Sequence, residues 1–250
     1  MNANEMANEL ELKADRVSSF GSPGYEDEDL TSVLTEAENL FVKKFVDRKN
    51  NRKNESFDET EIRNQGLSAL VKRGAALSAS SSQVGVFANG TFFDLPVDFM
   101  QCIHEEIIVN KNQCGTDTPI EADVFVAGYD EVSRLRKNKY KKPYCFSSGE
   151  AKVWRLVFSR EVDGDNPSAV ETAKRHQVLT DGTFAVSSYS INYLRLPKGI
   201  VVDRDTPSNQ RSSILDSFTH STIIDIALSL LLDRVKEQRL SNIESFKDLE

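Results

Sequence analysis

The apolar residues of this 250-residue chain change their spacing twice, and this constrains the fold more than any other feature. Up to about Leu77 they recur in steps of three and four. From Gln83 to Asp203 they mostly alternate in steps of two, and near the carboxyl end they return to three and four. A step of 3.6 places side chains on one face of a helix, whereas a step of two places them on one face of a strand. The order is therefore helices, then strands, then a helix. That order predicts an α+β fold in which an antiparallel β-rich domain is inserted between helical segments that pack together.

The first helix is expected from about Thr31 to Arg48, with Leu30, Val33, Leu34, Ala37, Leu40, Phe41 and Phe45 on its apolar face. Asn50 to Asn54 break it, and Ser56-Phe57-Asp58-Glu59 has the form of a capping box that starts a second helix through Ile62, Gly66, Leu70, Gly74 and Leu77. Gly66 and Gly74 lie roughly on one face, which suits either close approach of another backbone or simple tolerance. Asn89-Gly90 and Asp181-Gly182 are two-residue turn signals, each predicting a hairpin. Strands are expected over 105–110, 120–127, 154–160 and 191–196, with a short helix from Glu131 to Lys137. The last helix, about Phe218 to Arg239, has a broad apolar face of Ile223, Ile224, Ala227, Leu230, Leu231 and Val235.

These readings divide the chain into a polar arm (1–30), a helical pair (31–80), a β-rich domain (81–211) and a terminal helix with a polar tail (212–250) that packs with 31–80. The arm ends in Glu26-Asp27-Glu28-Asp29 and is too polar to form a core of its own, so it is expected to dock on a neighbouring protein. Net charge is −8, and the acid is concentrated at the two ends. Such a balance argues against non-specific coating of DNA. Cys102, Cys114 and Cys145 are odd in number and irregularly spaced, so no disulfide framework is expected. No apolar run marks a leader. The densest apolar stretch, Ile223–Leu232, falls short of the ~20 residues a membrane-spanning helix needs.

The sequence offers little chemistry. Glycine-rich phosphate loops and nucleophile elbows are absent. Cys102 and His104 supply two zinc ligands where a structural site needs four. Asp163-Gly164-Asp165-Asn166 resembles part of a calcium loop without its bidentate Glu. Asp203 and Asp205 could face one way as a carboxylate pair, but nothing marks a cleft beside them. His220 reads as a polar residue at a helix start. No catalytic residue, cofactor or metal site is therefore expected.

Two basic clusters remain. One is Lys43, Lys44, Arg48, Lys49, Arg52 and Lys53; the other is Arg134, Arg136, Lys137, Lys139, Lys141 and Lys142, interleaved with Tyr140 and Tyr144. Basic residues with aromatics suit single-stranded nucleic acid. They equally suit a solvated face or an acidic protein neighbour, and Glu26–Asp29 is a mate for Arg48–Lys53 of another copy.

Several short runs in order carry a resemblance. They are Phe93-Asp94-Leu95-Pro96-Val97-Asp98-Phe99-Met100, Tyr129-Asp130-Glu131 through Leu135, Lys139-Tyr140-Lys141-Lys142-Pro143, Trp154-Arg155, Tyr193-Leu194-Arg195-Leu196-Pro197-Lys198, Val201-Val202-Asp203 and the final helix from His220 to Ala227. Over residues 80–240 the chain resembles the ring and head-to-tail connector proteins of short-tailed, crAss-like bacteriophages. The resemblance implies a non-enzymatic virion subunit, assembled in the host cytoplasm. It implies a cyclic ring, usually of twelve copies, stacked near the portal protein or other tail rings, with double-stranded DNA passing through the lumen. The alternative is a DNA-binding or packaging accessory protein that uses the basic clusters.

Overall fold

The computed structural model describes residues 1–17, 24–46, 61–80, 89–113, 116–128, 130–138, 140–146, 149–159, 174–206 and 208–247. The chain divides into two compact units. One joins residues 1–70 to 197–250, and the other is 71–196.

The helical unit begins with α1, Ala3–Val17, where the sequence suggested a polar arm. Ala3, Met6, Ala7, Leu10 and Ala14 are fully buried, at the three-and-four spacing of one helix face. Small alanines between charged residues conceal that face. Asn2 and Glu5 form a reciprocal cap: the Glu5 amide donates to Asn2 Oδ1 at 2.8 Å and the Asn2 amide to Glu5 Oε2 at 2.9 Å. The first half of the expected arm is thus part of a core. α2 spans Asp27–Val46 and buries Leu30, Val33, Leu34, Ala37, Phe41 and Val42. The long helix α5, His220–Lys247, packs on both α1 and α2, and Ile223, Ile224, Ala227 and Leu231 are buried.

The segment after residue 198 is threaded along α2. Thr35 Oγ1 accepts from the Ile200 amide (3.1 Å) and donates to the Ile200 carbonyl (2.9 Å), while one helical turn earlier Thr31 Oγ1 accepts from the Val202 amide at 2.9 Å. Gly199 permits this approach: its φ is +74°, and a Cβ there would lie 2.9 Å from Thr35 Cγ2.

The expected second helix stops early. α3 covers Glu61–Leu67, a 3₁₀ turn follows over Ser68–Leu70, and the chain then enters strand β1, Val71–Ala76. The period of four through Leu70, Gly74 and Leu77 is therefore not helical. Gly74 has a φ of +64° and sits in a break of register between Lys72 and Ala75, which a left-handed residue accommodates. No heavy atom lies within 4 Å of a Cβ built there, so its role is conformational rather than close packing.

The sheet unit contains β1, β2 (Ala79–Ser80), β3 (Gly90–Asp94), β4 (Phe99–Gln113), β5 (Thr116–Val126), β6 (Tyr144–Cys145), β7 (Ala151–Ser159), β8 (Lys174–Leu179) and β9 (Ala185–Arg195). Eight strands run in the order β1-β9-β4-β5-β7-β8-β3-β2, with β6 added on β7. The pairs are antiparallel except β5 with β7, so the half-barrel sheet is mixed rather than purely antiparallel. Asp181-Gly182 links β8 to β9 without making the expected hairpin, because β8 is flanked by β7 and β3 while β9 lies between β1 and β4. Asn89 adopts a positive φ of 66° before β3, whose partners are β2 and β8. The strand expected over 84–88, the capping box at Ser56 and the loop at Asp163 lie outside the described residues.

One face of the sheet packs Phe93, Phe99, Ile107, Val109, Val153, Val178, Tyr189 and Ile191 into the main core. On the other face a short helix, α4 (Val132–Lys137), covers Trp154, Leu156 and Leu179 with Val132 and Leu135. The α+β class and the helix–sheet–helix order are as read from the sequence.

Candidate interaction surfaces

Four polar side chains in the sheet unit form one closed network, whereas the buried Gln177 side-chain amide has no hydrogen-bond partner among the described residues. Arg155 Nε lies 2.8 Å from Glu105 Oε2, and the Tyr189 hydroxyl donates to the same oxygen at 2.8 Å. His176 Nδ1 is 2.6 Å from the Tyr189 oxygen, and Arg155 contacts His176 Nε2 at 3.2 Å. With Tyr189 donating to the carboxylate and Arg155 to Nε2, His176 is neutral and carries its proton on Nδ1. Burial, reinforced by the neighbouring Arg155 cation, lowers its pKa to about 3. Burial first, then Glu105, holds the Tyr189 phenol far above its ordinary range. This closed ring of donors and acceptors fixes the register of β4, β7, β8 and β9, and each member's polar capacity is largely used within it.

The sequence candidates for metal or acid–base chemistry take ordinary places. Cys102 Sγ approaches the His104 carbonyl at 3.5 Å, and burial pushes its thiol up to about 11. Among the described residues, no three His, Cys, Asp or Glu side chains converge as metal ligands would. Asp203 Oδ1 accepts from the Thr206 amide at 2.6 Å, a turn cap rather than half of a carboxylate pair. His220 is buried and its Nε2 is 3.2 Å from the Leu215 carbonyl. Among the described residues no helix is long and apolar enough to cross a membrane.

Charge is divided unequally between the units. The helical unit contains 24 acidic and 16 basic residues, for −8; the sheet unit contains 15 of each. The acidic run lies in and just before the first turn of α2, where negative charge complements the helix dipole. Asp27 is engaged within the chain, accepting from the Arg204 amide at 2.8 Å. Glu26, Glu28 and Asp29 are exposed, and their carboxylates have no partner among the described residues. Lys43 and Lys44 end the same helix, exposed. Arg48, Lys49, Arg52 and Lys53 lie outside the described residues.

The second basic cluster is held on the sheet. α4 contributes Arg134, Arg136 and Lys137, and the chain then passes Lys141 and Lys142 into Pro143 and β6. The indole of Trp154, buried beneath, donates to the Lys141 carbonyl at 3.0 Å. Backbone bonds from Asn138 to Leu135 and from Lys141 to Asn138 close the turn. Between this segment and β8 lies a depression of about 300 Å³, with Trp154, Leu179 and Pro143 in its wall and Arg136, Lys142 and Asp181 on its polar side. Tyr140 is 85% exposed, and Phe146, 52% exposed, stacks on Tyr144 with centroids 4.5 Å apart. Periodicity revealed the basic cluster but could not reveal this anchoring, which depends on Trp154 from a separate strand.

Residues 1–242 match the family model described as phage tail ring protein 3/4. A curated relative, "Ring protein 4/5" of Bacteroides phage crAss001, is 24% identical over 241 residues, covering 92% of each chain. The match takes in the amino-terminal helices, which the sequence resemblance had left aside.

Proposed function

The chain belongs to the phage tail ring protein 3/4 family, and from that premise we propose that it is a non-catalytic subunit of a closed ring of about twelve copies near the portal, through which DNA passes. The coarser statement, a structural ring component of a phage tail, rests on the family match over nearly the whole chain. That match carries the reading, because it spans both the helical unit and the sheet unit. The finer points are our own. The portal protein or adjacent rings are the proposed neighbours, and host cytoplasm the proposed place of assembly.

We propose further that Glu26, Asp27, Glu28, Asp29, Lys43, Lys44, Arg48, Lys49, Arg52 and Lys53 lie at contacts between proteins. Glu26, Glu28 and Asp29 are the members of the acidic run with carboxylates left for such a contact, since Asp27 binds Arg204. Particle imaging tests the reading: tails purified from virions should contain this chain as a cyclic ring.

One observation favours the second reading, a DNA-binding accessory protein. Lys137, Lys141 and Lys142 lie close in sequence to the exposed Tyr140, a composition that suits a single-stranded nucleic-acid surface. Binding to duplex and single-stranded DNA with a steep salt dependence would favour it.

A further inference from the structure

We propose that the basic–aromatic surface formed by α4, Lys141, Lys142 and Tyr140 is the docking site for the acidic start of α2 in a second copy of this chain. The inference rests on the ring reading and names the surfaces that would join its copies.

Three observations lead to it. The surface is built rather than incidental, because the buried Trp154 indole fixes the Lys141 carbonyl while Val132 and Leu135 anchor α4 to the sheet. A largely exposed tyrosine next in sequence to Lys141 and Lys142, with Lys142 at a depression that has an apolar wall, gives the composition of a protein interface. Lys137, Lys141 and Lys142 have no acidic partner among the described residues, and the surface is strongly positive on a unit of zero net charge.

Charge complementarity identifies the occupant. The chain's entire net charge of −8 belongs to the helical unit. There Glu28 and Asp29 are exposed in the first turn of a 20-residue helix, and Glu26 is exposed just before it. The helical backbone of that turn sets the spacing of Glu28 and Asp29 before contact, which lowers the cost of docking. Lys141 and Lys142, the latter at the depression, would receive them, next to the exposed Tyr140.

The geometry of such a contact suits a ring. The donor patch lies on the sheet unit and the acceptor patch on the helical unit, so each copy gives one and receives one. Contacts of this head-to-tail kind close into rings when the rotation per copy permits. An isologous pairing would instead stop at two copies. The nucleic-acid occupant is disfavoured because the chain as a whole carries a net charge of −8.

The test uses full-length protein supplied as the sole copy during phage assembly, with tails purified and the chain quantified in them. Wild type should be present as a ring. Lys141→Glu with Lys142→Glu, and separately Glu28→Lys with Asp29→Lys, should each lower incorporation by about tenfold or more, whereas the thermal midpoint of the purified subunit moves by only about 2–4 °C. Combining all four changes should restore incorporation to within about threefold of wild type, which a merely structural role for either patch would not produce. Reversals without effect, or a combination no better than its parts, overturn the proposal. Rescue of Glu28→Lys with Asp29→Lys by Lys43→Glu with Lys44→Glu instead would place the acidic run against the other basic cluster and also overturn it. Tighter retention of a 30-base single strand by wild type than by Lys142→Glu, with reversals silent in assembly, would assign the surface to nucleic acid. If wild type enters no ring in any tail preparation, the ring reading itself has failed.

Discussion

The helical unit and the sheet unit solve the placement of charge in opposite ways. The helical unit keeps most of its acid outside: Glu26, Glu28 and Asp29 stand exposed at a helix start, its ion pairs, such as Lys13 with Asp225 and Arg234 with Glu36, lie at the surface, and the buried Glu38, which accepts from Ser213 Oγ, is the exception. Such pairs contribute about 0–1 kcal/mol each. The sheet unit takes charge inside. Arg155 and Glu105 are largely buried between strands, closed into a ring with His176 and Tyr189, and the buried Arg175 pairs with Asp94. The comparison teaches that net charge and structural charge are separate properties. The unit of zero net charge depends more on electrostatics for its fold, while the unit of −8 has charge to spare for neighbours.

The largest expected effects lie in the cores. Leu10→Asp places a carboxylate on the fully buried face of α1 and should cost about 4 kcal/mol, lowering the helical transition followed by circular dichroism. Trp154, the single tryptophan, reports on the sheet unit, and its fluorescence transition should move less. A surface arm at residues 3–17 would instead leave both transitions unchanged.

Glu105→Ala should act the other way. It leaves the Arg155 cation buried without its carboxylate and should destabilise by about 3–5 kcal/mol, read in the Trp154 transition. A loss below 1 kcal/mol would mean that water or another group compensates and that the sheet unit does not depend on this pair.

A smaller effect follows from His176. Its folded pKa, about 3, lies below the ordinary value of 6.5, so the unfolded chain takes up a proton between these values while the folded chain does not. Its contribution is therefore intact above pH 6.5 and is lost as pH falls toward 3. The slope approaches about 1.4 kcal/mol per pH unit. His176→Gln should be less stable at pH 7 yet lose less on acidification from pH 6.5 to 4, as denaturant titrations at each pH would show. Parallel pH profiles would contradict a neutral buried imidazole.

The smallest effect is expected at the exposed acid. Glu28→Gln and Asp29→Asn should change subunit stability by about 0.5–1 kcal/mol or less, through the loss of favourable charge at the start of α2. A much larger loss would make the acidic run part of the fold rather than a surface held for a partner.

How far the sequence disclosed these features depended on side-chain size and on contact distance along the chain. α2 and α5 were legible because Leu, Ile, Val and Phe mark their faces. α1 was missed because three of its five buried residues are alanines, although Asn2 and Glu5 had the spacing of a cap. β1 was read as helix because Leu70, Gly74 and Leu77 keep a helical step, and only the positive φ of Gly74 distinguishes a broken strand. The parallel β5–β7 pair and the separation of β8 from β9 arise from long-range pairing that no local period encodes. The basic cluster of α4 was visible, whereas its fixation by Trp154 and the depression beside it were not.

The account depends most directly on the arrangement of this chain in the particle. Imaging of tails purified from virions, with the chain located by a specific tag, should show it in a closed ring of about twelve copies. Adjacent copies should be related by one rotation, with the α4 surface of each facing the helical unit of the next. Finding the chain only as a monomer in every virion-derived sample would contradict the central claim.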